Sequence, residues 1–163
     1  AANSIYPIVY VPEPRRGISF ARNASVAGAS SQCQVMAFID DDSTPDPFWL
    51  DELLQAQLTY QADAVVGPLH PLYPPGTPAW VIKGGFFAPP AIATGTRHHT
   101  GATNNCLINA TLLRRTATPF DLRFAMTGGE DANFFMRLHQ EGYKIVWCHE
   151  AKVYEEVPAS RAS

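Results

Sequence analysis

The sequence predicts an α/β fold of the Rossmann-like type with a mostly parallel central sheet. Two observations predict it. Short apolar runs alternate with helical stripes in the order strand, helix, strand, helix, strand. The run Val35-Met36-Ala37-Phe38-Ile39 also passes straight into Asp40-Asp41-Asp42. A continuous apolar run reads as a strand buried on both faces, and acids at its carboxyl end stand where open α/β sheets place their ligands. The bulk composition agrees. A length of 163 residues fits one domain, and 46% hydrophobic with 17% charged content excludes a disordered chain.

Taken in order, Ile8-Val9-Tyr10-Val11 is β-rich and reads as a strand stopped by Pro12 and Pro14. Ser19 can cap a helix to about Ala29, with Phe20, Ala24 and Ala27 on one face. The strand of the acids follows. Asp46 can cap and Pro47 open a second helix, with Leu50, Leu53, Leu54 and Leu58 on one stripe. Ala64-Val65-Val66-Gly67 is the next strand. Between Pro68 and Pro90 lie seven of the fourteen prolines, which exclude a regular helix or a central strand. Residues 68–100 therefore read as one long loop, and a loop of that length is usually a lid or a binding loop. Cys106-Leu107-Ile108 resumes a strand, and 111–115 holds one helical turn. Gly128-Gly129-Glu130-Asp131 opens a helix with Phe134, Phe135 and Leu138 apolar and Gly142 as its stop. Lys144 to Trp147 and Val153-Tyr154 close the chain as strands.

Composition also excludes partners. Net charge is −3, and beyond Arg15-Arg16 and Arg114-Arg115 there is no basic cluster, which argues against nucleic acid. No apolar run approaches the roughly 18 residues of a membrane helix. Three cysteines without a C-x-x-C pair suit reduced thiols in a cytoplasmic protein.

Two acidic sites carry the candidate chemistry. Along an extended strand Asp40 and Asp42 point one way and Asp41 the other, so two carboxylates converge on a position suited to Mg²⁺ or Mn²⁺. Glu130 and Asp131 lie in the first turn of a helix behind two glycines, where acids complement the helix dipole and where Asp131 is a candidate general base. The pattern Asp40-x-Asp42-x-Thr44 after a strand also fits a phosphatase of the haloacid-dehalogenase type, with Asp40 as nucleophile and Asp42 as acid. Against it, Pro45-Asp46-Pro47 follows the motif, and Lys83 is the wrong kind of later lysine, set in the proline-rich loop. A non-catalytic module or remnant that only binds a sugar nucleotide is the third reading.

Several stretches together resemble the nucleotide-sugar glycosyltransferases of the GT-A fold, family 2. Arg15 to Asn23 looks like the family's R-G-x-x-x-A-R-N stretch. Phe38 to Trp49 looks like its D-x-D segment followed by a proline and W-L. Gly129-Glu130-Asp131 with Arg137 looks like G-E-D-x-x-x-x-x-R, and Glu141-Gly142-Tyr143 like the turn after it. The ending Val153 to Pro158 with Arg161 is similar to the bacterial exopolysaccharide branch, the succinoglycan-type glucosyltransferases.

The resemblance implies a three-layer α/β/α domain over residues 1–163. It also implies inverting transfer of a sugar, as in exopolysaccharide biosynthesis, from a UDP-sugar to a saccharide or lipid-linked saccharide. Asp40 would face the ribose and the metal, Asp42 would ligate Mg²⁺ or Mn²⁺, and Asp131 would be the base. Glu130 would position a sugar hydroxyl. Asp41, Arg22 and Asn23 would lie by the nucleotide, Arg161 by the diphosphate, and Trp80 would offer a stacking face in an acceptor loop. Where many relatives carry a histidine as a further metal ligand, this chain has Glu155. The family also has a strand, a helix and a strand ahead of the position of Ile8. The domain is therefore expected to be partial at its N-terminus, and the isolated chain weakly active or inactive. A cytoplasmic location follows from the resemblance, with peripheral attachment to the inner membrane face as an extension of it.

Overall fold

The computed structural model describes residues 7–158 and 160–161. Its elements are α1 (Ile18–Gly28), β1 (Val35–Ile39), β2 (Ser43–Pro45), α2 (Trp49–Tyr60), β3 (Ala64–Val66), β4 (Leu69–Leu72), α3 (Ala79–Gly84), β5 (Arg97–His98), β6 (Asn105–Asn109), α4 (Ala110–Leu113), α5 (Glu130–Gln140), β7 (Ile145–Trp147) and β8 (Val153–Glu156). A 3₁₀ turn at Leu122–Phe124 precedes α5. A main sheet runs β1-β6-β3-β7-β5, and a small one runs β2-β8-β4.

The core explains the three layers. Strands β3 and β7 are buried along their whole length and β6 from Asn105 to Ile108, so alternate side chains feed two separate cores. Ala64, Val66, Cys106, Ile108, Ile145 and Trp147 face one side, under Phe134, Phe135 and Leu138 of α5. Val65, Leu107 and Val146 face the other, under Leu53 and Ala56 of α2. The α/β/α expectation holds.

Strand direction departs from it. Among the described residues β3–β7 is the one parallel pair of the main sheet, and β1–β6, β3–β6 and β5–β7 are antiparallel. Strand β6 sits between β1 and β3 and opposes both, because it follows the long 68–100 excursion rather than a helical crossover. Strand β1 is correspondingly an edge, with Ala37 exposed, and not a strand buried on both faces.

Local corrections have local causes. Residues Ile8 to Val11 form no strand and are 38–86% exposed. Helix α1 starts after Gly17, not at a Ser19 cap. Its buried face is Ser19, Asn23 and Val26 rather than Phe20, Ala24 and Ala27, because Ser19 and Asn23 spend their side chains on backbone groups at 120–121. Asp46 closes a turn onto Phe48 N and does not cap α2, whose Leu58 is 73% exposed. The proline-rich segment is not one loop. It carries β4, α3 and β5, with Pro71 tolerated because β4 is an edge strand and Pro78 because it precedes the first helical residue.

One buried polar residue ties the two sheets together. Asn105 of β6 is 1% exposed. Its Nδ2 donates to Pro68 O at 2.8 Å and to Ala151 O at 2.6 Å, and its Oδ1 accepts from Trp49 Nε1 at 2.7 Å. Those partners lie at the mouths of β4 and β8 and at the start of α2. Replacing Asn105 with Ala removes the partner of the Trp49 indole N–H and of Ala151 O at a buried position, and leaves Pro68 O with Val153 N alone. It is expected to cost about 3 kcal/mol of stability, read from the urea midpoint at unchanged m. A loss below about 1 kcal/mol would mean that water or a shift repairs the gap.

Candidate functional site

The site forms where β1 ends. Asp40 lies just past Ile39, and its carbonyl accepts from Ser43 N at 3.2 Å, so Asp40 to Ser43 is a turn. Strand alternation therefore does not apply to the three acids, which reach the site from a loop. The turn returns as β2, which pairs antiparallel with β8 in a register that sets Ser43 against Glu155. That pairing is what delivers Glu155 to Asp40 and Asp42.

The charges respond to one another. Burial pushes the Asp40 carboxyl up, Arg22 pulls it back, and the carboxylates of Asp42, Asp131 and Asp41 push it up further. Burial also raises the Glu155 carboxyl, as do Asp42 and Asp40, while Arg161 offsets part of this. Five acids from three parts of the chain thus share one electrostatic environment. Asp41 and Asp42 are exposed to solvent, while Asp40, Asp131 and Glu155 are half-buried.

The second half of the site is the amino end of α5. Gly128 and Gly129 have φ of 74° and 92°, the left-handed region that favours glycine, and they turn the chain into the helix. Nothing lies within 4 Å of where a Cβ at Gly128 would stand, so the approach to the acids behind it is open. Asp131 is half-buried, and its Oδ1 accepts from Ala132 N at 2.7 Å. Glu130 points inward and is 2% exposed.

Arg22 links the halves. Its guanidinium pairs with Glu130 Oε1 through Nη1 and approaches Asp40 Oδ1 through Nη2 at 3.7 Å. Glu130 Oε2 is buried without a hydrogen-bond partner among the described residues. Arg22 is itself held because its neighbour Asn23 donates to Phe120 O at 2.8 Å and accepts from Phe120 N at 3.0 Å.

The sequence-derived site residues accordingly divide. Asp40, Asp42, Asp131 and Glu155 come together. Arg22 bridges two of the acids, Glu130 and Asp40, and Glu130 is paired to it through Oε1 while its Oε2 has no partner among the described residues. Asn23 does not face the site, because both ends of its amide are used on Phe120. Arg161 is exposed beside Glu155. Trp80 is 62% exposed on α3 and stands edge-on to Phe86, so it is not a core residue. His98, not among the residues singled out from sequence, is half-buried against the Trp147 ring at 5.5 Å. Asn105 and the clamp role of Arg22 escaped the sequence reading. The available signal for Asn105 was a polar residue opening an otherwise apolar strand.

Carboxylate oxygens are the donor set a hard cation takes, and the carboxyls of Asp40 and Glu155 are both raised, first by burial and then by neighbouring acids that Arg22 and Arg161 offset in part. Asp40, Asp42 and Glu155 do not form a closed trio. Among the described residues the one set of possible ligand atoms within 4.8 Å of each other is Glu52, Cys148 and Glu150. An open site still suits Mg²⁺, which is commonly held by one or two carboxylates with substrate phosphates completing the shell.

Three comparisons bear on this geometry. The family model described as Glycosyl transferase family 2 matches residues 1–117. The chain is 35% identical over 158 residues to the succinoglycan biosynthesis protein ExoM of Rhizobium meliloti (strain 1021), covering 97% of this chain and 50% of that protein. The chain thus spans about half the length of the curated relative it matches. The fold is similar to that of S. aureus TarS residues 1–349, solved in complex with UDP, with a TM-score of 0.55 and 18% identity over 83% of this chain and 39% of that one. These matches set aside the haloacid-dehalogenase-type reading of Asp40 and Asp42. No helix among the described residues is long and apolar enough to cross a membrane.

Proposed function

We propose that this chain, which belongs to glycosyl transferase family 2, transfers a hexose from a UDP-linked donor to a saccharide or lipid-linked saccharide with inversion, in polysaccharide biosynthesis. The observation that carries the reading is the shared electrostatic environment in which Asp42 and Asp131 act on Asp40, and Asp42 and Asp40 act on Glu155, with Arg22 joining Asp40 to Glu130. A cluster rich in carboxylates suits the binding of a diphosphate through a cation, and a separate carboxylate at a helix start suits a base.

Asp42 and Asp40 would hold a divalent cation, Mg²⁺ or Mn²⁺, with Glu155 beside them, and the ion would supply charge neutralisation for the departing diphosphate. The remaining work falls to protein groups. Asp131, with one oxygen fixed by Ala132 N, accepts the proton of the acceptor hydroxyl. The acceptor's hydroxyl oxygen bonds to the anomeric carbon as the bond from that carbon to the UDP oxygen breaks, and the electron pair leaves with UDP. One displacement inverts the anomeric centre. Arg22 pairs with Glu130 and so fixes the first turn of α5, on which Asp131 stands. Segment 68–100, with exposed Trp80, lies on the acceptor side of this reading.

The test is the stereochemistry and metal dependence of the product. With UDP-glucose or UDP-galactose and an oligosaccharide acceptor, the product's anomeric proton is expected to show the opposite configuration to the donor, and chelation with EDTA is expected to stop transfer. Retained configuration, or transfer undiminished by EDTA, would contradict the proposal.

A further inference from the structure

A cavity of about 170 Å³ lies against the small sheet, outside the acid cluster. Pro71 of β4, Phe87, Glu155 and Glu156 of β8, Val157 and Arg161 are among its lining residues. It meets the acid cluster at one residue, Glu155, whose carboxyl feels Asp42 and Asp40. Asp40, Asp42 and Asp131 do not line it. Phe87 is half-buried and braced edge-on by Tyr73, with ring centroids 6.3 Å apart, so its ring is held rather than free.

We propose that this cavity seats one pyranose residue of the acceptor saccharide. The inference rests on the reading of the acid cluster as the donor site and extends it to the second substrate. A pyranose is two-sided, with a patch of axial C–H groups on its face and hydroxyls around its edge. The cavity is two-sided in the same way. Phe87, Pro71 and Val157 supply an apolar wall, and Glu155, Glu156 and Arg161 supply acceptors and donors at the rim. A lipid tail would leave two carboxylates and a guanidinium stranded without partners. A bare cation would have no use for the aromatic wall. The volume is below that of most drug-sized ligand pockets and suits a single ring. The shared wall at Glu155 sets the occupant beside the donor, as a two-substrate reaction requires.

Saturation-transfer NMR with methyl β-D-glucopyranoside as the probe tests this, alongside melting curves with UDP and Mn²⁺. Transfer from the protein to the probe's ring protons is expected, undiminished when UDP and Mn²⁺ are added. Phe87→Ala is expected to weaken probe binding about tenfold, and Glu156→Gln by a smaller factor, with the UDP and Mn²⁺ melting shift kept in both. Asp42→Asn is expected to lose that shift and keep the probe. No saturation transfer in the unaltered protein, equal transfer in Phe87→Ala, or displacement of the probe by UDP would each overturn the proposal. A probe that binds at Phe87 in a protein with no UDP and Mn²⁺ shift would overturn the donor reading and uphold the saccharide site. The reverse pattern would overturn the saccharide site alone.

Discussion

Asp131→Asn is expected to lower the transfer rate by about 10²–10⁴-fold, the usual contribution of a positioned general base, while leaving donor binding in place. Asparagine keeps the size of the side chain and an oxygen for Ala132 N, so the amino end of α5 should stay as it is. What it loses is the ability to take a proton. The measurement is single-turnover transfer beside UDP affinity. A matched fall in rate with unchanged affinity is the expected pattern, since it marks an interaction made only in the transition state. A large loss of UDP affinity with little change in single-turnover rate would instead make Asp131 a ligand for the donor.

The second large effect is expected at Arg22. Its side chain is 12% exposed and that of Glu130 is 3% exposed, so the pair is held away from water. Removing one partner strands the other as a buried charge, which typically costs about 3–5 kcal/mol. Arg22→Gln is therefore expected to be strongly destabilised in urea. The double variant Arg22→Gln with Glu130→Gln should regain most of that loss, because a neutral pair has no stranded charge. The coupling energy from the four proteins is the quantity to measure. Purely additive losses would show that Arg22 and Glu130 act independently. Activity should not return with stability in the double variant, since Asp40 would also have lost its guanidinium neighbour.

Much of this was legible before the fold was known, for a physical reason in each case. Strands β3, β6 and β7 are buried on both faces, so they read as unbroken apolar runs. Helix α5 announces itself by two glycines, two first-turn acids and the Phe134, Phe135 and Leu138 stripe. The acids of the site were legible because charge at the end of an apolar run has few structural uses.

What was not legible depended on tertiary partners. Strands β2 and β4 are three and four residues long and each contains a proline, so neither carries a period. They exist because β8 pairs with both. Helix α1 buries the polar Ser19 and Asn23 because the backbone at 120–121 offers them hydrogen bonds, and hydrophobicity alone selects the wrong face. Ile8 to Val11 has strand composition but no partner among the described residues. The ion pair of Arg22 with Glu130 was not legible because the two residues lie far apart along the chain. The mixed strand directions follow from β6, which opposes β1 and β3, and from β5, which opposes β7, and an order of strands and helices reveals neither.

The most direct test of the donor site is the melting temperature with UDP, with Mn²⁺, with both and with neither, alongside Asp42→Asn. At ligand concentrations a hundred times the Kd, binding stabilises the folded state by about 2.7 kcal/mol, which for a chain of this size is a rise of about 5–10 °C. The account predicts a rise of that order only when UDP and Mn²⁺ are present together, and its loss in Asp42→Asn. No shift, or a shift with UDP alone that Asp42→Asn leaves unchanged, would contradict it.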